Sequence, residues 1–202
     1  MKIRIAIALM AALPLSLATA AAGAERESVK VLVAYYSRTG HTAALASAVA
    51  EGARKVAQAQ VTVKTVAEVK CAELLAADAL IVGSPVYWSN MAGEVKAFFD
   101  RWTDECKVVP PGFPMRDKVG AAFVTAGDVS SGKEIALLTM LAAMIGNRMI
   151  VLGEGQALGA TATTGEGKLP LEGKALKEGS DLGERVARVA LTLKRGRPTR
   201  PD

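Results

Sequence analysis

Histidine is nearly missing from this sequence: His41 is the only one in 202 residues. That excludes a serine or cysteine hydrolase triad alongside a separate histidine site, and it leaves a histidine metal centre without a second imidazole. Cysteine is almost as scarce. Cys71 and Cys106 are too few for a disulfide framework or a thiolate metal cluster, so buried or free thiols are expected, and no metal site is. One-signed charge is lacking too. The net charge is +5, with Lys2 and Arg4 supplying two of those charges, and the other basic residues are interspersed with Asp and Glu. No nucleic-acid partner is therefore expected. Only Lys194, Arg195, Arg197 and Arg200 form a one-sided run, which reads as a solvated, frayed tail over 195–202; recruitment of an anionic partner is the alternative.

Long apolar runs are confined to the start of the chain. Lys2 and Arg4 precede an apolar stretch from Ile5 to Ala18, followed by the small-residue triplets Ala18-Thr19-Ala20 and Ala22-Gly23-Ala24. This is the pattern of a secretory signal peptide over 1–24, removed after Ala20 or Ala24. The protein is accordingly expected to be exported, in the periplasm; an uncleaved anchor is the alternative and the one route to a membrane. Without a twin-arginine pair, export proceeds unfolded and any cofactor is acquired afterwards.

Half of the residues are apolar, enough for one sizeable core, and 25–194 reads as one domain. Val29 to Tyr36 is a near-continuous β-branched and aromatic run, as in a strand covered on both faces. Ala44, Leu45, Ala48, Val49 and Val56 then recur at helical spacing. The alternation continues with strands at 61–66, 79–83, 119–125 and 149–152, and with helices at 72–77, 91–102, 133–145 and 172–193. Strand and helix alternate five times. The expected fold is α/β, a doubly wound parallel sheet of five strands with helices on both faces, and ligands sit beyond the carboxyl ends of its strands.

Three loops follow those ends. The first, Ser37-Arg38-Thr39-Gly40-His41-Thr42, is rich in hydroxyls and opens onto a helix, so unsatisfied backbone amides and side-chain O–H groups can surround a phosphate dianion. An ordinary helix cap is the simpler alternative, but three hydroxyls and a glycine exceed what one cap requires. The second runs from Gly83 through Pro85, Val86, Tyr87, Trp88, Ser89 and Asn90 to Met91. Its two aromatics can stack on a flat ring, or serve as lids on a helix end, while Ser89 or Asn90 caps a helix beginning at Met91. The third, Thr125-Ala126-Gly127-Asp128 and onward to Lys133-Glu134, has P-loop spacing in Gly127, Gly132 and Lys133. Glu134 stands where that motif needs a hydroxyl, so the loop is read as a wall for a ring edge and not as an NTPase site.

With these loops in place, Lys30 to Ala53 (KVLVAYYSRTGHTAALASAVAEGA) resembles the tryptophan-repressor-binding-protein family of FMN-dependent NAD(P)H:quinone oxidoreductases, within the flavodoxin-like superfamily. The similarity continues in VGSPVYWSNMAGEVKAFFDRW over 82–102, in LGATATTGEG and in GERVARVALTL, and it spans Val29 to Leu193. The resemblance implies strand order 2-1-3-4-5, FMN phosphate held by Ser37 to Thr42, ring contacts from Pro85 to Met91 and Thr125 to Gly132, NAD(P)H as donor, a small-molecule quinone as acceptor, and a dimer or tetramer. The chain departs from the family in Gly146-Asn147, where a histidine pair is common, and in a shorter stretch over 153–161. It implies a two-electron oxidoreductase without naming an acid or base. A flavodoxin-type carrier of single electrons and a flavin-free binding protein on the same fold are the alternatives.

Overall fold

A computed structural model describes residues 27–165 and 170–196; the signal segment at 1–24 and the end of the basic tail at 197–202 lie outside them. The elements run β1 (Val29–Tyr35), α1 (His41–Arg54), β2 (Ala59–Thr65), α2 (Cys71–Ala76), β3 (Ala79–Tyr87), β4 (Asn90–Met91), α3 (Gly93–Asp104), β5 (Val119–Ala126), α4 (Lys133–Gly146), β6 (Ile150–Leu152), β7 (Ala160–Thr163) and α5 (Gly173–Gly196).

The main sheet is parallel in the order β2-β1-β3-β5-β6, and with the hairpin strand β4 set aside this is the expected 2-1-3-4-5 order. The fifth position is split. β6 pairs with Val119–Ala121 and β7 with Phe123–Ala126, so two short strands share one edge of β5 across the 153–159 segment. Period-two geometry sorts the side chains onto two covered faces. Leu32, Ala34, Leu80, Val82, Ala122 and Val124 pack under α3 and α4, while Val31, Val33, Ile81, Ala121 and Phe123 pack under α1 and α5. Every residue of β5 is buried, which is why the central strands read as unbroken apolar runs.

Helices α1 and α5 approach until backbone meets backbone. A Cβ on Gly52 would lie 1.8 Å from the Ser180 carbonyl oxygen, and one on Gly183 would lie 1.9 Å from that of Val49. Even a methyl group there requires the helices to separate.

Two expectations are corrected here. Cys71, at the start of α2, and Cys106, just after α3, are joined in a disulfide with Cα atoms 5.0 Å apart, so neither is a free or buried thiol. The crossovers through β3 bring together two positions 35 residues apart, and spacing along the chain does not reveal that. Lys194 does not belong to a frayed tail either. Helix α5 continues to Gly196, and the Lys194 ammonium donates to Asp78 Oδ2 at 2.7 Å, tying the last turn of α5 to the residue before β3.

Candidate functional site

The buried polar and charged side chains among the described residues are His41, Thr42, Ser84, Thr125 and Lys133. All five lie at the carboxyl ends of β3 and β5 or at the first turns of α1 and α4. Polar groups are costly to bury, so their concentration at one end of the sheet marks the place where the fold gives up apolar packing for chemistry.

The first loop joins β1 to α1. Gly40 is the N-cap of α1 with φ +90°, a left-handed conformation that glycine adopts without steric cost. No side chain caps the helix, and no acidic residue sits in its first turn. The first-turn amides of His41, Thr42 and Ala43 have no intrahelical acceptor, and the helix dipole makes this end attractive to an anion. The hydroxyls are organised around it. Ser37 Oγ accepts the Gly40 amide at 3.2 Å and keeps its own proton to donate. Thr39 Oγ1 and His41 Nδ1 are 2.8 Å apart, while the buried His41 Nε2 has no hydrogen-bond partner. Thr42 and Thr125 share one hydrogen bond at 2.8 Å, which leaves one of their two hydroxyl protons to donate elsewhere. Arg38 and Thr39 stand exposed at the lip.

The second loop differs from expectation. β3 does not stop at Gly83 but runs through Pro85 and Val86 to Tyr87, turns back over Trp88 and Ser89, and pairs with Asn90 and Met91 as a hairpin. Trp88 and Ser89 have φ of +51° and +60°, the left-handed pair of a type I′ turn. Trp88 is fully exposed at the tip and Tyr87 is 36% exposed, so neither is a lid over a helix end. Neither Ser89 nor Asn90 caps α3. That helix begins at Gly93 with Ala92 as an uncapped N-cap, the Ala92 amide donates to buried Ser84 Oγ at 2.8 Å, and Asn90 Oδ1 accepts the amide of Met91 and the hydroxyl of Thr139.

In the third loop, Thr125 is committed to Thr42 and Ala126 is buried, while Gly127 and Asp128 are exposed. Asp128 shapes the loop itself: its carboxylate accepts the Val129 amide and its carbonyl accepts the Ser131 hydroxyl.

These loops form one surface. The first is tied to the third through Thr42 and Thr125. The second abuts the third, since a Cβ on Gly132, itself at φ +83°, would lie 2.5 Å from Ser89 Cβ. The first and second meet where the Tyr36 amide donates to the Gly83 carbonyl at 3.1 Å and the Tyr36 phenol bonds the Glu94 carboxylate. That bond, followed by partial burial and the charge of Glu94, holds the phenol above the ordinary tyrosine range. Replacing Glu94 by Gln is expected to return Tyr36 toward that range, with phenolate absorbance appearing at lower pH in an ultraviolet titration; an unchanged titration would place Glu94 away from Tyr36.

Ser84, Tyr36, Glu94 and Lys133 escaped the sequence reading. Ser84 falls in the loop expected after the strand 79–83, with no role of its own there, and Lys133 inside a discarded P-loop pattern, and only burial distinguishes them from their neighbours.

The uncapped, acid-free start of α1, ringed by hydroxyls that retain protons, fits a phosphate dianion, and the exposed aromatics of the hairpin beside it fit the flat ring of FMN. The broad groove between α2, α3 and the edge of β2, about 840 Å³ and lined by Lys64, Glu68, Lys70 and Arg101, lies apart from these loops, and its Lys64 and Arg101 are already paired with Glu73 and Glu105.

A family model described as NADPH-dependent FMN reductase matches residues 70–164. The chain is 32% identical over 135 residues to a flavodoxin of Clostridium saccharobutylicum, covering 67% of this chain and 79% of the relative. It is 31% identical over 153 residues to an NAD(P)H dehydrogenase (quinone) of Geotalea uraniireducens (strain Rf4), covering 62% and 71%. Among solved structures it is similar to a flavodoxin, WrbA-like protein from Agrobacterium tumefaciens, with TM-score 0.68, 25% identity and coverage of 82% of this chain and 99% of that one. By fold, loop geometry and relatives above 30% identity of which it covers more than two thirds, the chain belongs to the flavodoxin-like family that includes flavodoxins and NAD(P)H dehydrogenases (quinone).

Proposed function

We propose that this protein is an FMN-dependent, two-electron oxidoreductase that transfers reducing equivalents from NAD(P)H to a small-molecule quinone, and that within its family it stands with the tryptophan-repressor-binding-protein group. The observation that carries the reading is the convergence of an uncapped α1 with the aromatic hairpin and the third loop at one end of the sheet. Bound FMN supplies the hydride chemistry. The residues of the chain do the rest. The amides of His41 to Ala43 and the free hydroxyl protons of Ser37 and the Thr42–Thr125 pair hold the phosphate; Pro85 to Met91 and Ala126 to Asp128 flank the ring and limit the approach of water to it.

The assay is NADH-driven reduction of benzoquinone. Turnover should require bound FMN and vanish from flavin-free protein, whereas turnover that is absent with FMN bound would favour the carrier alternative. That alternative is supported by the flavodoxin relative, and a redox titration separates the two: one-electron steps favour the carrier, and a single two-electron step favours the reductase.

The reading extends to export into the periplasm. It is supported by the N-terminal sequence pattern and by the Cys71–Cys106 disulfide, a bond that persists in oxidising compartments. A homo-oligomer, dimer or tetramer, is supported by Ile135, Leu138 and Ile145, which are exposed along one side of α4.

A further inference from the structure

Lys133 opens α4, directly after the left-handed Gly132, and is only 7% exposed. Its ammonium donates to Thr163 Oγ1 at 2.7 Å, and among the described residues no carboxylate pairs with it. Thr163 ends β7 and is aligned with Ala126, the residue from which the third loop departs. On the other side, Gly132 is pressed against Ser89 at the tip of the aromatic hairpin. The cation is therefore fixed at the base of the third loop, where that loop meets the hairpin, the two loops assigned to the ring. A buried cation whose partner among the described residues is a neutral hydroxyl costs stability, which makes a purely structural use of lysine at this position unfavourable compared with a neutral residue. A fixed positive charge does, however, favour any negative charge that develops nearby.

We propose that Lys133 is a charge-tuning residue that stabilises the reduced cofactor over the oxidised one; this rests on the FMN reading above. When a hydride, one proton with two electrons, passes from reduced nicotinamide to the neutral oxidised ring, the ring gains one negative charge and the nicotinamide departs as its oxidised cation. The ammonium of Lys133 offsets the charge gained by the ring and so makes the hydride transfer more favourable.

The test measures the affinity of the protein for oxidised FMN and, anaerobically, for reduced FMN, and from their ratio the shift in reduction potential on binding. Lys133→Gln is expected to weaken reduced FMN by about ten-fold or more relative to oxidised FMN and to move the midpoint potential to a more negative value. Lys133→Arg, which keeps the charge, should restore the wild-type ratio. Because removing a buried lysine can perturb folding, Thr163→Asp supplies a second route. Thr163 is exposed, and a carboxylate there neutralises the ammonium in place, so it should shift the ratio in the same direction as Lys133→Gln. A ratio unchanged in Thr163→Asp and in folded Lys133→Gln would overturn the proposal while leaving FMN binding intact. Failure of the wild-type protein to bind FMN at all would instead remove the reading beneath it.

Discussion

Replacing Gly40 by valine is expected to lower the affinity for FMN by about 100-fold or more while the protein remains folded. Gly40 holds φ +90° as the N-cap of α1, and a β-branched residue resists that region by roughly 1–2 kcal/mol. Relief of that strain rotates the peptide units that aim the first-turn amides. The loss reaches beyond the strain itself, because each charge-assisted hydrogen bond to a phosphate contributes about 1.5–3 kcal/mol and several are misdirected together. The fold should tolerate the change, since Gly40 lies on the loop and the apolar packing of α1 begins with Leu45, Ala46 and Val49 further along the helix. Flavin fluorescence quenching gives the affinity and circular dichroism the fold. Wild-type affinity in a folded Gly40→Val variant would separate FMN binding from this turn.

Loss of the Cys71–Cys106 bond should destabilise the domain by about 3 to 4 kcal/mol, the loop-closure value for cysteines separated by 35 residues. The bond fastens the short helix α2 to the segment after α3, a region otherwise held by the hydrogen bond from Arg101 Nη2 to the Val66 carbonyl at 2.7 Å and by the packing of Phe98, Phe99 and Trp102. Denaturant unfolding with and without dithiothreitol, together with Cys71→Ala/Cys106→Ala, measures it. The reduced protein and the double variant should share one lowered midpoint. Equal midpoints under oxidising and reducing conditions would show that the bond adds nothing to stability and would weaken the support it lends to export.

Much of this architecture is legible along the chain because parallel strands covered on both faces leave a local signature. Val29 to Tyr35 and Val119 to Ala126 are apolar at almost every position, and the helices between strands repeat at their own period. The first loop is legible for a similar reason: hydroxyls and glycine at a strand-to-helix junction are a local pattern with a local cause. The features that escaped depend on residues distant in sequence. A type I′ hairpin is ordinarily signalled by Asn-Gly, yet here Trp88 and Ser89 occupy the left-handed positions, with Ser89 lodged against Gly132 some forty residues later. The division of the fifth strand into β6 and β7 is decided by which stretch of β5 each one reaches. The disulfide, the Lys194–Asp78 pair and the burial of Lys133 likewise arise only once the crossovers have placed their partners together.

The site has a division of labour that binding can resolve. On the proposed reading the start of α1, with the Thr42–Thr125 pair, addresses the phosphate, whereas the hairpin and the rest of the third loop address the ring. A fluorescence titration of the purified protein with FMN and, in parallel, with riboflavin, which carries the same ring without the phosphate, tests this most directly. FMN should bind with one site per chain and about 100-fold or more tighter than riboflavin, in keeping with several charge-assisted hydrogen bonds to the dianion. Equal affinities for the two, or no quenching by either, would contradict the account.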